Sequence, residues 1–467
     1  MIGKPAFMIG ATRSGGGKTT LTVGILAALV RRGMNVQCFK CGPDFIDPTL
    51  HETVTSTVSY NLDIRMMGGQ CCRDTFARTC RTCDVAVVEG VMGLFDGAEA
   101  SSAALAKLLG VPVFLVIDAA SCAESSAAVL KGFVDFDPEL RVCGAIFNRI
   151  GSARHRDLIE TAVRDHCRID YLGFMPRDDA FVIPERHLGL HMGNEKPLDD
   201  YSLGRLTDSI ETNLDLDRML NTAVSSISPP SERPAAAALR PSVARRSEAK
   251  ARIGVAMDEA FCFYYRQNFE LLESCGFELV PFSPIRDEEL PPLLEMLYFG
   301  GGYPENHAAR LSANHRIRDQ IRAFHADGRP LYGECGGFMY LCRTLTDMEG
   351  GCFPMAGVFP FDSALNRRLR RLGYRRVQLL EGCLLGDRGD ILHGHEFHYS
   401  DIEIDPNGSL PDGVTTLYRL DNNALEGYSV GSAVGSYIHL HFGGTPSALS
   451  HLYRTLVGTR RESDDNA

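Results

Sequence analysis

The first twenty residues constrain the fold more than any other stretch. Ala6-Phe7-Met8-Ile9 reads as a buried strand and runs directly into Gly10-Ala11-Thr12-Arg13-Ser14-Gly15-Gly16-Gly17-Lys18-Thr19-Thr20. Strand, glycine loop, Lys-Thr and helix together form a phosphate cradle. Glycines let backbone N–H groups approach an anion, the lysine adds charge on the terminal phosphates, and the threonine hydroxyl suits Mg²⁺. Gly10, Gly15, Gly16, Gly17, Lys18, Thr19 and Thr20 are the expected ATP-binding residues. The helix that follows carries Leu21, Ile25, Ala28 and Leu29 on one face and stops at Arg31-Arg32-Gly33, a normal C-terminal signal. The strict motif would place a glycine at Thr12, so this loop is a variant with a longer spacing, from Gly10 to Gly17.

Such a loop belongs to an open parallel sheet, whose ligands sit beyond the carboxyl ends of the strands. Polar residues after each later strand are therefore placed for chemistry. Val36-Gln37-Cys38-Phe39 leads to Asp44 and Asp47, each a candidate Mg²⁺ ligand, substrate contact or plain charged turn. Asp84-Val85-Ala86-Val87-Val88 leads to Glu89, where nucleotide folds put a metal-binding acid, and Asp96 follows in the same Gly-rich loop. Further strands end at Asp118 and at Asn148-Arg149.

A second chemical motif lies in the C-terminal half. Pro330-Leu331-Tyr332, then Gly333-Glu334-Cys335-Gly336-Gly337, then Phe338-Met339-Tyr340-Leu341-Cys342 reads as strand, tight turn and helix. That is a nucleophile elbow with Cys335 at its tip, where the helix aims its first N–H groups at a thiolate. A base is needed to take the thiol proton. Tyr437-Ile438-His439-Leu440-His441-Phe442, after the strand Ala433-Val434-Gly435-Ser436, supplies two competing histidines, His439 and His441.

A chain of 467 residues exceeds one ordinary core, and its composition, 44% hydrophobic and 23% charged, is globular. Ser-, Pro-, Ala- and Arg-rich sequence without apolar periodicity interrupts it, giving an expected domain 1–222, a linker 223–250, a second domain 251–460 and a tail 461–467. The net charge of −11 argues against nonspecific nucleic-acid binding. No apolar run reaches membrane-spanning length and the N-terminus is no secretory signal, so a cytoplasmic protein is expected. The 15 cysteines lack disulfide spacing, and reduced, mostly packed thiols are expected. The run Arg367 to Arg376 reads by default as a solvated helix face, with recognition of a polycarboxylate as its alternative. His393-Gly394-His395-Glu396-Phe397-His398 imitates a metal cluster, but metal binding is not expected there.

With these motifs in view, the segment from Arg252 onward resembles a class I, triad-type glutamine amidotransferase domain, and the variant loop resembles dethiobiotin synthetase and its relatives. Gly42-Pro43-Asp44-Phe45-Ile46-Asp47, and Pro184-Glu185-Arg186-His187, also match segments of the cobalamin-pathway glutamine amidotransferase family, which nearly the whole chain resembles. The resemblance implies a P-loop dethiobiotin-synthetase-like parallel-sheet domain followed by an α/β glutamine amidotransferase domain. It implies that Cys335 attacks the glutamine amide, His439 protonates the departing ammonia, and Gly301, Gly302 and Gly336 supply the oxyanion hole. Thr19, Asp44, Asp47 and Glu89 become the Mg²⁺ set; Asp44, Phe45 and Asp96 become contacts to a tetrapyrrole polycarboxylate; Pro184 to His187 either face that substrate or close the domain.

The activity implied is ATP-dependent amidation, through an acyl phosphate, of the a and c carboxylates of cobyrinic acid, or of hydrogenobyrinic acid or nickel-sirohydrochlorin. Glutamine, ATP and the macrocycle are the expected small-molecule partners, with no nucleic acid or membrane, and a homodimer stays open. Class I domains mostly carry a carboxylate two residues after the catalytic histidine, but here that place is His441, so what orients His439 stays open. A partitioning or regulatory P-loop ATPase is the rival of another class, and it leaves the Cys335 elbow without a purpose. A two-domain nucleotide synthetase is weakened by the Gly-Pro-Asp-Phe-Ile-Asp segment.

Overall fold

The computed structural model describes residues 3–186, 189–190, 192–195, 197–225, 251–404, 407 and 409–464. The chain divides into two compact units, Met1–Glu232 and Arg233–Ala467. Residues 226–250 of the expected linker lie outside the described residues, as do His187 and the side chains of Glu185 and Arg186.

In the first unit, strands β1 (Lys4–Ala11), β2 (Val36–Cys41), β3 (Tyr60–Leu62), β4 (Val85–Glu89), β5 (Val113–Asp118), β6 (Val142–Ile150) and β7 (Asp170–Pro176) form a sheet in the order β3-β2-β4-β1-β5-β6-β7. These seven strands pair in parallel throughout. Both faces are covered, so the strands are apolar at successive positions rather than alternate ones. In β1, Ala6 and Met8 enter one core while Phe7, Ile9 and Ala11 enter the other. Helix α1 (Lys18–Arg31) leaves the end of β1, and α2 (Asp47–Thr55) follows β2. Strand β8 (Glu185–Arg186) pairs antiparallel with β9 (Gly189–Leu190). The start of the expected linker is not tether: β10 (Val224–Ser225) pairs antiparallel with Lys4 and Pro5 of β1.

In the second unit, β11 (Ala251–Ala256), β12 (Phe277–Phe282), β13 (Met296–Phe299) and β14 (Leu331–Glu334) begin a ten-stranded sheet. Next come β15 (Thr344–Thr346), β16 (Cys352–Pro354) and β17 (Asp362–Leu365), then β18 (Arg371–Leu379), β19 (Ile391–His398) and β20 (Ser400–Ile402). The last strands are β21 (Val414–Leu420), β22 (Leu425–Val430), β23 (Ala433–Ser436) and β24 (His439–Leu440). The large sheet runs β12-β11-β13-β14-β23-β22-β21-β18-β19-β24, parallel from β12 to β23 and antiparallel beyond, while β16-β15-β17-β20 make a small separate sheet. The architecture is thus mixed α/β in both units.

Two further expectations change. The arginine run is not a helix: Arg371 to Arg376 lie in β18, paired with β19 over eight residues, because cross-strand partners outweigh the local charge pattern. Arg375 binds Glu396 at 2.5 Å and Arg370 binds Asp401 at 2.7 Å, so these two arginines already have carboxylates. At the other end, the helix Pro446–Asp464 continues past residue 460, where a tail was expected. Among the described residues, no group of three or more His, Cys, Asp or Glu is arranged to hold a metal, and no helix is long and apolar enough to cross a membrane.

Candidate active sites

The glycine loop between β1 and α1 forms one wall of a cavity of about 760 Å³, with Gly15, Gly17, Lys18, Thr19 and Thr20 on its lining. Gly17 has φ +90°, and a Cβ there would stand 2.0 Å from Asn148 Nδ2. The Asn148 amide donates to the Gly16 carbonyl at 2.9 Å and Arg149 donates to that of Gly15 at 3.1 Å, so the ends of β6 and β1 brace one loop. Lys18 is almost buried and donates to the Met92 carbonyl at 2.5 Å. Burial, with the Lys40 charge added, pushes its pKa down to about 8.

Adjacent parallel strands bring the acids to the same place. Glu89 ends β4 and is in register with Lys40 of β2. Lys40 Nζ lies 2.5 Å from Asp47 and 3.1 Å from Glu89. The other Glu89 oxygen meets His51 Nε2 at 2.7 Å, and His51 Nδ1 meets Ser59 Oγ at 3.0 Å. Thr19 Oγ1 donates to Glu89 at 2.8 Å and stands 3.5 Å from Asp47. Glu89, His51, Lys40 and Asp47 are all buried. Such charges persist in low dielectric only when paired. Burial would lift the Glu89 carboxyl, but Lys40, His51 and Thr19 outweigh it and hold Glu89 well below the usual range. Asp47 goes the other way, pushed up to about 7 by burial and by Asp44 and Glu89. Burial would lower Lys40, but Asp47 and Glu89 hold it above its ordinary value.

Asp44 also lines the cavity, while its carboxylate accepts from the backbone N–H of Ile46 at 2.6 Å and of Asp47 at 3.2 Å, shaping the turn into α2. Phe45 and Asp96 lie off the cavity lining, and Asp96 is exposed with its carboxylate turned back to the Gly93 N–H at 3.0 Å.

The second site lies at the end of β14. Cys335 has φ 48° and ψ −106°, a strained conformation for a residue with a side chain, and it caps the helix Gly336–Leu341. Its N–H donates to the Ser436 carbonyl at 2.7 Å, which ties the elbow to the end of β23. A Cβ on Gly336 would fall 3.1 Å from the Gly302 nitrogen, so the elbow and the Gly301-Gly302 turn are in contact. A Cβ on Gly301 would fall 2.4 Å from His439 Cε1 and 3.2 Å from its Nε2. The predicted nucleophile loop, oxyanion turn and base therefore converge. Burial, with the Glu305 and Glu334 charges added, pushes the Cys335 thiol well above its ordinary value, although the Gly336 N–H opposes this. A buried thiol of this kind needs a base before it can attack.

Of the two histidines, only His439 borders the turn. His439 Nδ1 stands 3.5 Å from Glu334 Oε2, and both groups are buried. His441 Nδ1 instead accepts the Gly443 N–H at 3.1 Å, its ring lies 5.2 Å from that of Tyr265, and burial pushes its pKa down to about 4. Sequence reasoning assigned no role to Lys40, His51 or Glu334. Only the place of Lys40 and Glu334 at the ends of apolar strands marked them.

Residues 7–190 match the CobQ/CobB/MinD/ParA nucleotide binding domain, and residues 252–447 match the CobB/CobQ-like glutamine amidotransferase domain. The chain is 41% identical to the cobyrinate a,c-diamide synthase of Syntrophotalea carbinolica over 95% of this chain and 97% of the relative. It is 39% identical to the cobyrinate a,c-diamide synthase of Salmonella typhimurium over 96% of this chain and 97% of that one. A solved structure described as a glutamine amidotransferase is similar over 44% of this chain and 98% of its own length, at 22% identity and a TM-score of 0.33.

The buried charge network makes a stability prediction. Lys40→Met leaves Asp47 and Glu89 short of a cation and should cost about 3–5 kcal/mol. Adding Asp47→Asn should recover much of that loss; denaturant titration of the single and double variants measures both.

Proposed function

This chain belongs to the cobyrinate a,c-diamide synthase family, and we propose that it amidates the a and c carboxylates of cobyrinic acid with ammonia drawn from glutamine, at the expense of ATP. The observation that carries the reading is the presence in one chain of a phosphate cradle and a strained cysteine elbow packed on a glycine turn that a histidine borders. Each solves half of one chemical problem. A carboxylate resists ammonia until one of its oxygens becomes a leaving group, and transfer of the ATP γ-phosphoryl to that oxygen supplies one, as an acyl phosphate. Ammonia then adds to the acyl carbon and inorganic phosphate departs.

In this reading the loop amides from Gly15 to Thr20 hold the phosphates, and Lys18 and Lys40 neutralise charge on the transferring group. Thr19, Glu89 and Asp47 would hold Mg²⁺. Their hard oxygen donors, gathered beside the phosphate loop, suit an ion that is bound by one or two carboxylates together with phosphate. When bound, the ion supplies charge neutralisation at the phosphoryl oxygens. His51 fixes the Glu89 carboxylate from behind. Asp44 is retained as a substrate contact, with Phe45 beside it on the same loop and Asp96 on the loop after β4.

In the second unit, Cys335 attacks the glutamine amide carbon, and the Gly336 N–H with the Gly301-Gly302 turn stabilises the oxyanion. His439 takes the thiol proton and delivers it to the leaving ammonia; water then clears the thioester as glutamate. Fifteen cysteines without disulfide spacing suit a reducing compartment, and we place the reaction in the cytoplasm.

Cys335→Ala should abolish glutamine-driven amidation yet leave synthesis from added ammonium salts, whereas Lys18→Ala should suppress both by roughly a hundredfold or more. Mass spectrometry of the macrocycle counts the amides formed. Failure of ammonium to rescue Cys335→Ala would contradict the division of labour.

A further inference from the structure

The base at the glutaminase site lacks the acid expected after it in sequence, because that position is His441 and its ring is engaged elsewhere. The structure offers a carboxylate from another direction. Glu334 is the residue immediately before the nucleophile, on the last position of β14, and it is only 2% exposed. Its Oε1 accepts the Tyr332 hydroxyl at 2.7 Å and the Leu440 N–H at 3.2 Å. Those two bonds fix the carboxylate and leave Oε2 facing His439 Nδ1 at 3.5 Å. The Cε1–Nε2 edge of the imidazole lies against Gly301. The ring therefore spans from an anchored carboxylate to the turn that packs on the elbow.

We propose that Glu334 is the positioning residue of this site, holding His439 with its proton on Nδ1 and stabilising the imidazolium formed when Nε2 takes the Cys335 proton. The inference rests on the glutaminase reading above. The step balances simply: the S–H bond breaks, Nε2 gains the proton, and the sulfur lone pair forms the C–S bond to the amide carbon. When the C–N bond breaks, the same proton leaves with ammonia, and Nε2 returns to its acceptor state. At 3.5 Å the Glu334–His439 pair is not yet a hydrogen bond, and catalytic contacts of this kind commonly tighten only when substrate is bound. A backbone N–H on Oε1 serves the arrangement well, since Leu440 follows His439 directly. The strand that carries the base also anchors its partner.

The position explains a compromise in the elbow. A carboxylate next to a nucleophilic cysteine opposes thiolate formation directly, and Glu334 does add to the upward push on the thiol. It becomes favourable only through the histidine, because the pair that forms is thiolate with imidazolium, and the imidazolium is the member in contact with Glu334. Nucleophile and orienting acid thus sit on consecutive residues, with the base reaching in from β24.

Glutamate release from glutamine tests this in wild type, Glu334→Gln, Glu334→Asp, His439→Ala and the double variant Glu334→Gln/His439→Ala. By analogy with loss of the orienting carboxylate in serine proteases, Glu334→Gln should lower kcat by roughly 10²- to 10⁴-fold with KM for glutamine changed by no more than about threefold. Glu334→Asp should recover a substantial part of that loss. In the His439→Ala background, Glu334→Gln should cause no further loss, because Glu334 acts through the imidazole. A Glu334→Gln enzyme as fast as wild type, or a loss that recurs in full without His439, would overturn the proposal; the second result would mark Glu334 as a packing residue only. A wild type that releases no glutamate would overturn the glutaminase reading itself, and that is visible before any change at Glu334.

Discussion

Both sites depend on what happens where a parallel strand stops. The sheet ladder ends, the chain must turn into a helix or loop, and neighbouring strands deliver their last residues side by side. In the first unit, β1, β4 and β2 are neighbours, so the loop after Ala11, the carboxylate of Glu89 and the ammonium of Lys40 meet without any sequence proximity. In the second, β14 and β23 are neighbours, so Cys335 is tied to Ser436 and the chain then continues to His439. The chemistry rests on strand order more than on any single motif.

Electrostatics then decides what each assembly can do. The first site gathers two ammonium groups and several carboxylates in a buried place, which is tolerable because they neutralise one another. In the proposed function Lys40 and Lys18 set the positive charge for an incoming polyphosphate, beside the oxygens of Thr19, Glu89 and Asp47. The second site is the opposite case. Burial pushes the thiol up on its strained turn, and in the proposed mechanism the histidine beside the Gly301-Gly302 turn accepts its proton. One site stores charge in advance and the other creates it on demand.

What the sequence revealed follows from this division. The glycine loop and the cysteine elbow are contiguous, so their residue types and spacing carry the geometry, and Gly17 and Cys335 do occupy the positive-φ positions that such turns demand. The partners of those motifs are not contiguous. Lys40 meets Glu89, and Glu334 meets His439, only because particular strands lie next to each other, and no local pattern announces the pairing. His441 shows the converse: it stands in the expected sequence position for the orienting role that is proposed above for Glu334. The arginine run misled for a related reason. Its charge density suggested a solvated helix, whereas eight residues of pairing with β19 make it a strand.

The central claim is that nitrogen leaves glutamine at Cys335 and arrives as an amide on a carboxylate activated by ATP. Supplying [amide-¹⁵N]glutamine with ATP, Mg²⁺ and cobyrinic acid, and weighing the product, follows that nitrogen directly. The account predicts a diamide carrying two ¹⁵N atoms, with one ADP and one glutamate released per amide. A product without the label, or one formed with no ADP released, would contradict it.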